Sequence, residues 1–250
     1  MPKSPPYLCT SATLTHVGLV RKINEDSYLD RPDAGLWVIA DGMGGHTAGD
    51  VASQLIVSAL EKVEPGETLS GFVESIEDAL LSVNQQLIAM SSQTQQTSGS
   101  TVVALLAYET VCVVIWAGDS RAYRLRNGEL TQLTNDHSHI ELYVEQGLIT
   151  REEAALHPAG NLITRAVGAA PELYLEMDID RLAEGDRYLL CSDGLDKHVT
   201  QAEIGPILGS GDPQSAAKQL IELTLSRGAA DNVSVAVIEV RAADRAARNH

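Results

Sequence analysis

Four aspartates share one local context, in which the carboxylate stands at the end of a strongly apolar segment. Three of them close the segments LWVIAD, VVIWAGD and YLLCSD and the fourth opens DNVSVAVIEV; they are Asp41, Asp119, Asp193 and Asp231. Because neighbouring strand ends lie within roughly 5 to 10 Å of one another, these carboxylates would crowd one rim of a sheet. Two like charges about 4 Å apart repel by roughly 4 kcal/mol at an effective dielectric of 20, so a divalent cation or raised pKa values must relieve them. Oxygen ligands favour Mg²⁺ or Mn²⁺. One Asp-Gly pair alone is more often a turn, but four aspartates in one context favour a metal site.

The segment LWVIADGMGGHTAGD, residues 36–50, allows three interpretations. An Asp-Gly pair after an apolar strand commonly forms a hairpin turn, but residues 48–63 have helical spacing instead of a second strand. A dinucleotide-binding loop needs a third glycine where Thr47 stands, and a P-loop needs lysine where Asp50 stands. We therefore predict a strand-to-helix loop whose Asp41 holds a cation.

A fifth stretch, THVGLVRKINEDSY, places Arg21 a few residues before Asn24-Glu25-Asp26. The planar guanidinium suits phosphate oxygens, and the two carboxylates could supplement the metal cluster. The alternative is a surface ion pair with Arg21, which would contribute little. This stretch decides nothing by itself.

Composition limits the classes of function. The chain has 250 residues, 44% of them hydrophobic, and we expect one domain over residues 1–250. The 34 acidic and 18 basic residues give a formal net charge of -16, which opposes nonspecific binding to nucleic acid or anionic membrane. The N-terminus lacks a secretory apolar core, and the longest apolar run, VCVVIWAG, is far shorter than the roughly 20 residues that span a bilayer. We predict a cytoplasmic protein.

The three cysteines are scattered and form no C-x-x-C pair. Two of them, Cys112 and Cys191, lie within apolar strands, and we interpret all three, including Cys9, as core residues that form neither disulfides nor a zinc site.

Hydrophobic periodicity predicts strands clustered in the middle of the chain and helices on either side. Short strands flank the Arg21 turn, two helices follow residues 36–40, and residues 101–133 form an antiparallel meander with a hairpin at Asn127-Gly128. A helical insertion occupies about 135–160, where Thr150 and Glu153 form a capping box before a short helix that ends before Pro158. A helix is predicted over 213–228, and the tail from about 242 to 250 is expected to fray. These elements predict an α+β layered sandwich.

Together the motifs resemble those of the metal-dependent protein phosphatases of the protein phosphatase 2C type. The resemblance covers nearly the whole chain and lies in Arg21 with Asn24-Glu25-Asp26, Asp41-Gly42-x-Gly44-Gly45, Ser98-Gly99-Ser100-Thr101, Ala117-Gly118-Asp119-Ser120-Arg121, Asp136-His137-Ser138, Ile163-Thr164-Arg165-Ala166-Val167-Gly168, Ser192-Asp193-Gly194 and Asp231-Asn232. It implies a four-layer α-β-β-α sandwich, in which two antiparallel sheets are flanked by helices and metals lie at one edge. The helical insertion at about 135–160 would be the flap of compact bacterial members.

The resemblance also implies the metal ligands. Asp41 would bridge two Mn²⁺ or Mg²⁺ ions, with Asp193 and Asp231 completing one of the two sites. Either Glu25 or Asp26, with the Gly42 carbonyl, would complete the other site. Asp119 matches the ligand of a third, weaker ion.

The implied reaction is attack of a metal-activated water on phosphorus, with Arg21 and Asp41 as the catalytic residues. Arg21 would hold the phosphoryl oxygens. Some relatives carry a histidine two residues after the bridging aspartate as a proposed proton donor, but here that position is Met43, which cannot donate a proton. Four histidines lie in or near the motifs, each interpreted as structural or surface, and no general acid is assigned: His46, His137, His139 and His157.

Three functions remain open at this point. The first is hydrolysis of phosphoserine and phosphothreonine in phosphorylated proteins, opposing a bacterial Ser/Thr kinase in signalling or secretion. The second is a catalytically silent module that binds phosphoproteins, and the third is another phosphoesterase such as a nuclease, which the acidic charge disfavours. The filled ligand positions favour the first. We predict a monomer.

Overall fold

The computed structural model describes residues 6–44, 48–94, 97–154 and 162–243. Its strands are β1 Tyr7–His16, β2 Asp26–Arg31, β3 Leu36–Gly44, β4 Ser98–Ser100, β5 Val102–Tyr108, β6 Val111–Ala117, β7 Arg121–Arg126, β8 Glu129–Gln132, β9 Glu176–Arg181, β10 Arg187–Cys191 and β11 Val233–Ala242. Its helices are α1 Ala48–Leu60, α2 Leu69–Thr94, α3 His139–Glu145, α4 Arg151–Ala154, α5 Asp193–Asp196, α6 Gln201–Leu208 and α7 Pro213–Ser226.

Two antiparallel sheets stack face to face. One has the order β1-β11-β10-β7-β8, and the other has the order β2-β3-β5-β6-β9, with β4 paired to the end of β3. Helices α1 and α2 pack on the outer face of the six-stranded sheet, and α5 to α7 pack on the outer face of the five-stranded one. The predicted four-layer α-β-β-α sandwich of the α+β class is therefore confirmed.

The continuous apolar run of β3 follows from this layering. Trp37 and Ile39 enter the core between the sheets, whereas Leu36, Val38 and Ala40 enter the core under α1 and α2. Successive strand residues face opposite sides of a sheet, so a strand covered on both sides is apolar at every position. All five side chains are fully buried.

The predicted meander over 101–133 is wrong. Strands β5 and β6 form a hairpin in the six-stranded sheet, whereas β7 and β8 form one in the five-stranded sheet. The chain crosses between the sheets at Gly118, whose φ of +119° and close approach to Thr101 leave no room for a side chain. The hairpin at Asn127-Gly128 is confirmed, and both residues have positive φ.

The end of β3 also differs from the prediction. Strand β3 continues through Asp41 and Gly42 to Gly44 because β4 supplies hydrogen-bonding partners beyond the end of β5, so Asp41 lies within a strand and not in a loop. The segments flanking the Arg21 turn belong to different sheets. Helix α6 has no counterpart in the prediction, because its Gly205 and Pro206 disfavour helix.

The flap between β8 and β9 contains α3 and α4. The capping box that opens α4 is confirmed, since Thr150 N donates to Glu153 Oε2 at 2.8 Å and Glu153 N donates to Thr150 Oγ1 at 3.2 Å. The predicted end of this helix before Pro158 lies outside the described residues, as do Gly45, His46, Thr47, His157 and tail residues 244–250. Within the described part of the chain, no helix has the length and apolar character to cross a membrane.

Candidate metal centre

Asp41 occupies the point where β3 exchanges one neighbouring strand for another. Its Cα is the register partner of Asp26 on β2, so the two side chains leave the same face of the sheet. Thr101 fixes the Asp41 backbone from the other side, because its N–H donates to Asp41 O at 2.9 Å and its Oγ1 accepts from Asp41 N at 3.1 Å. The Ser98–Thr101 motif thus positions the central aspartate.

Asp26 connects the two sheets. Its Oδ2 accepts from Ser192 Oγ at 2.8 Å and from Ser234 Oγ at 2.6 Å, and both serines belong to the five-stranded sheet or its margin. Its Oδ1 is buried and has no hydrogen-bond partner. One oxygen is therefore structural, and the other is unsatisfied.

Glu25 meets Gly42 and the start of α1. A Cβ built on Gly49 would lie 2.5 Å from Glu25 Oε1 and 2.9 Å from the Gly42 carbonyl oxygen. Both oxygens therefore lie against the one face of Gly49 where no side chain intervenes. Asn232 holds this loop, since its Oδ1 accepts from Glu25 N at 2.8 Å and its Nδ2 donates to the Val17 and Ile23 carbonyls.

Two side-chain cations lie among the remaining carboxylates. Arg21 binds Asp231 with two nitrogens, each at 2.9 Å. The ammonium of Lys197 lies 2.5 Å from Asp193 Oδ2 and 3.4 Å from Asp231 Oδ2. The ion pair considered from the sequence, between Arg21 and the acids of residues 25 and 26, is therefore replaced by a pair with Asp231.

Burial and mutual repulsion raise the pKa of several of these acids. Burial, with the nearby Asp193 and Asp231 charges, raises the pKa of Asp26 to about 6, although its two serine donors oppose the shift. Burial and then Asp193 raise the pKa of Asp119 to about 7. Burial and the surrounding aspartates raise the pKa of Asp41 well above its ordinary value, and burial raises that of Glu25. The site thus carries more negative charge than the fold neutralises.

The donor set fits hard divalent cations. Carboxylate oxygens without a hydrogen-bond partner are buried on four of the predicted ligands, Glu25, Asp26, Asp119 and Asp193. Buried unpaired oxygens of this kind are costly unless something positive meets them. In the described ranges, no group of three or more acidic, cysteine or histidine residues is arranged to hold a metal ion. Arg21 pairs with Asp231, and Lys197 pairs with Asp193 and Asp231.

A second charged cluster lies beside the centre, toward the flap. Arg121 holds Asp136 with Nε and Nη2, at 2.9 Å and 2.7 Å to its two oxygens, and Asp196 with Nη1 at 3.1 Å. His137 accepts from Gly118 N at 3.1 Å and stacks on Trp116, and burial lowers its pKa. These contacts give His137 a structural role and tie the flap base to the loop of Asp119.

The sequence predicted that the acids lie together at one rim, but it did not identify the residues that orient them. Ser192, Ser234, Asn232 and Lys197 received no role there. The first three adjoin the motif aspartates or lie in β11, and a small polar residue inside an otherwise apolar strand was the available signal. Lys197 follows Asp193 by four residues, a spacing that places both on one helical face.

Known proteins match this chain over most of its length. A family model described as protein phosphatase 2C matches residues 20–228. Serine/threonine protein phosphatase PstP of Mycobacterium tuberculosis is 40% identical over 225 residues, which are 89% of this chain and 43% of that protein. The chain thus spans less than half the length of this curated relative.

Solved structures extend the match to the fold. PppA, described as a key regulatory component of T6SS in Pseudomonas aeruginosa, superposes with a TM-score of 0.88 at 40% identity, over 93% of this chain and 98% of that chain. The catalytic domain of serine threonine protein phosphatase PstP in complex with 2 manganese ions has a TM-score of 0.85 at 38% identity, over 94% of this chain and 99% of that chain. The chain belongs to the protein phosphatase 2C family of metal-dependent serine/threonine protein phosphatases.

Metal affinity is expected to rise with pH. Since Asp26 and Asp119 have pKa values of about 6 and 7 in the fold against an ordinary 3.8, protons compete with the cation up to neutral pH. The Mn²⁺ Kd should fall by roughly tenfold per pH unit for each proton displaced between pH 5.5 and 7. Without metal, the same carboxyls favour the fold most below about pH 4 and lose that contribution as pH rises through 6 to 7. Calorimetric titration in buffers of different ionisation enthalpy measures both Kd and proton release, and binding without proton release at pH 6 would contradict this.

Replacing Lys197 with methionine is expected to tighten Mn²⁺ binding about fivefold. The substitution removes the ammonium that pairs with Asp193 and Asp231, two carboxylates proposed as ligands, and each such pair contributes about 0.5 kcal/mol. Lys218→Met is the matched control, because Lys218 pairs with Glu222 at 3.6 Å, also four residues away, in α7. Calorimetry compares the three proteins, and weaker binding by the Lys197 variant would show that the ammonium supports the ligands.

Proposed function

We propose that this chain hydrolyses phosphoserine and phosphothreonine in proteins and so reverses the action of a bacterial Ser/Thr kinase. The observation that supports this most directly is the group of buried carboxylate oxygens without hydrogen-bond partners, which come from both sheets, with Arg21 paired to the neighbouring Asp231. The homologous serine/threonine phosphatases and the manganese complex of one of them support the same activity.

The ligand roles proposed for this chain follow from where each oxygen lies. The charges of Asp193 and Asp231 both act on Asp41, so these three carboxylates are proposed to hold one ion. For a second ion, with Asp41 as the shared ligand, Glu25 is the better candidate than Asp26, because Glu25 Oε1 and the Gly42 carbonyl lie together against Gly49.

Two acids remain outside that core set. Asp26 gives one oxygen to the serines and orients its neighbours. Asp119, buried with a free Oδ1, is proposed for a third and weaker ion.

When bound at these oxygens, two Mn²⁺ or Mg²⁺ ions lower the pKa of a water and supply the nucleophile. Arg21 is half exposed and its planar fork lies at the same rim, so it is the group that would bind and orient the phosphoryl oxygens. Met43 supplies no proton. His137 is buried, accepts the Gly118 N–H at Nδ1 and places Nε2 3.3 Å from Glu176, so neither residue is assigned as a donor to the leaving alcohol.

Turnover of a phosphothreonine peptide with and without Mn²⁺ tests the proposal. We expect activity that EDTA removes and that Asp193→Ala reduces by at least about a hundredfold. Activity that survives both treatments would contradict the mechanism. Absence of two-site Mn²⁺ binding in calorimetry, together with retained phosphopeptide binding, would instead support a silent binding module.

The pathway and the cellular setting are further proposals. The likeness to a protein described as a regulatory component of type VI secretion makes secretion control one candidate, with signalling as the broader one. Comparing phosphoproteomes of the host with and without this protein would identify the substrates. The single domain over 1–250, the monomeric state and the cytoplasmic location stay predictions from the sequence.

A further inference from the structure

Strand β9 ends the six-stranded sheet and leaves apolar side chains uncovered. Its residues Met177 and Ile179 are register partners of Ile115 and Val113, which are buried in the core under α1 and α2. Paired residues face the same side, so Met177 and Ile179 lie on the helix side of the sheet. They are nevertheless 42% and 58% exposed, so within the described residues the helical layer stops short of β9.

A cleft of about 450 Å³ lies beside this strand, between α2 and the segment that enters β9. Leu81 of α2 and Tyr174 line it and are 40% and 64% exposed. Together with Met177 and Ile179, they form what we term the β9 apolar strip.

Acidic side chains surround the β9 apolar strip. Glu74, Glu77 and Asp78 of α2 line the cleft, Glu172 precedes it, and Asp178 projects from β9 on the opposite face from Met177. In the described part of the chain none of these five carboxylates has an ion-pair partner, although Glu172 accepts from the Tyr174 hydroxyl. The strip therefore combines exposed apolar surface with uncompensated negative charge.

The outer backbone N–H groups of β9 are also unpaired with another strand in the described part of the chain. The N–H groups of Ile179 and Arg181 donate to the carboxylates of the preceding residues, Asp178 and Asp180, at 2.9 Å and 2.7 Å. Such local bonds satisfy an edge that has no neighbouring strand, and an added strand can replace them.

We propose that β9 is a docking strand for an extended segment of a phosphoprotein partner in which apolar residues alternate with lysine or arginine. Paired beside β9, the apolar side chains would cover Met177 and Ile179 on the helix side, and the basic ones would lie on the opposite face beside Asp178. Alternation follows from the two-residue period of a strand, and the basic character follows from the unpaired carboxylate of Asp178. The partner class rests on the proposed function, but no residue of the metal centre takes part.

A phosphate-free fluorescent peptide that alternates leucine with lysine tests the proposal independently of catalysis. Anisotropy should show binding that Asp178→Lys weakens by about tenfold, and that Ile179→Ser also weakens. The matched control is Glu129→Lys, which changes the net charge equally on β8, the edge strand of the five-stranded sheet, and it should bind within about twofold of the parent. A peptide of the same composition with the leucines and lysines in separate blocks should bind more weakly than the alternating one.

Thermal unfolding and turnover of a small aryl phosphate check that each variant is folded and active. Equal peptide affinity in the Asp178→Lys and Glu129→Lys variants, or no preference for the alternating peptide, would overturn the proposal. Light scattering tests whether a second copy of this chain occupies the β9 apolar strip instead. A dimer that Ile179→Ser dissociates would support that alternative and overturn the proposal. Absence of aryl phosphate turnover by the parent protein would count against the proposed function without affecting the peptide-binding result.

Discussion

Asp41→Asn is expected to abolish phosphatase activity while making the metal-free protein more stable. Asparagine keeps the shape but loses the charge that the proposed function places between two cations, so turnover of a phosphothreonine peptide should fall by roughly a thousandfold or more. The same change removes the buried charge and the repulsion from neighbouring aspartates that raise the Asp41 pKa, so the free energy of unfolding without metal should increase at pH 7.5. Denaturant unfolding in EDTA and steady-state kinetics in Mn²⁺ measure the two effects.

Asp30→Asn is the matched control and should behave in the opposite way. Asp30 lies on β2, next to β3, and its oxygens accept from Ser11, Thr13 and Trp37 at 2.6, 2.8 and 3.0 Å. An amide can satisfy these donors only in part, so stability should fall by about 1 to 3 kcal/mol, whereas turnover of the folded fraction should stay near that of the parent. An Asp41→Asn protein that is less stable and still active would show that Asp41 is a structural acid like Asp30.

Gly42→Ala is expected to destabilise the fold more than other substitutions of similar size. A Cβ at this position would lie 2.1 Å from Gly49 O, 2.4 Å from Gly49 C and 2.7 Å from Glu25 O, all of which are backbone atoms. Because backbone cannot rotate away as a side chain can, α1 or the Glu25 segment must move. We expect a loss of about 3 kcal/mol or more, equivalent to a fall in Tm of several degrees, and weaker metal binding because Glu25 is displaced.

The control for this substitution is Gly205→Ala in α6. The nearest atom to a Cβ there is Leu130 Cβ at 3.7 Å, which is ordinary contact. Alanine is also the better helix former, so this variant should keep or raise stability by up to about 1 kcal/mol. Scanning calorimetry compares the Tm of the parent and the two variants. A Gly42→Ala variant with the Tm of the parent would mean that α1 moves away at Gly49 at little cost in free energy.

The sequence predicted the layers because the apolar runs are long and their period is clear. It failed at the connections, since both β6-to-β7 and a tight hairpin look like two strands separated by a Gly-containing turn. Which sheet a strand joins depends on contacts with residues far away in the chain, here the approach of Gly118 to Thr101. Strand β3 was likewise ended too early because its last three residues depend on β4, which is 54 or more residues away in the chain.

The candidate site was predicted in part for similar reasons. Strand-end aspartates can be identified from the sequence because each carboxylate adjoins an apolar run. The partners that orient them, such as Ser192 and Ser234 around Asp26, are ordinary small polar residues whose role exists only in three dimensions. The pairing of Lys197 with Asp231 also crosses 34 positions of sequence and could not be read from spacing.

The carboxylates of the proposed metal centre come from both halves of the sandwich. Asp26 and Asp41 belong to the six-stranded sheet, whereas Asp193 and Asp231 flank strands of the five-stranded one. Cations held by carboxylates of both sheets would link the two sheets. The metal content would then affect the free energy of unfolding as well as the rate of turnover. At a free concentration one hundred times Kd, one such ion adds about 2.7 kcal/mol to the free energy of unfolding. Depleting the cation would therefore raise the unfolded fraction of this protein and, with it, the exposure of the chain to proteases.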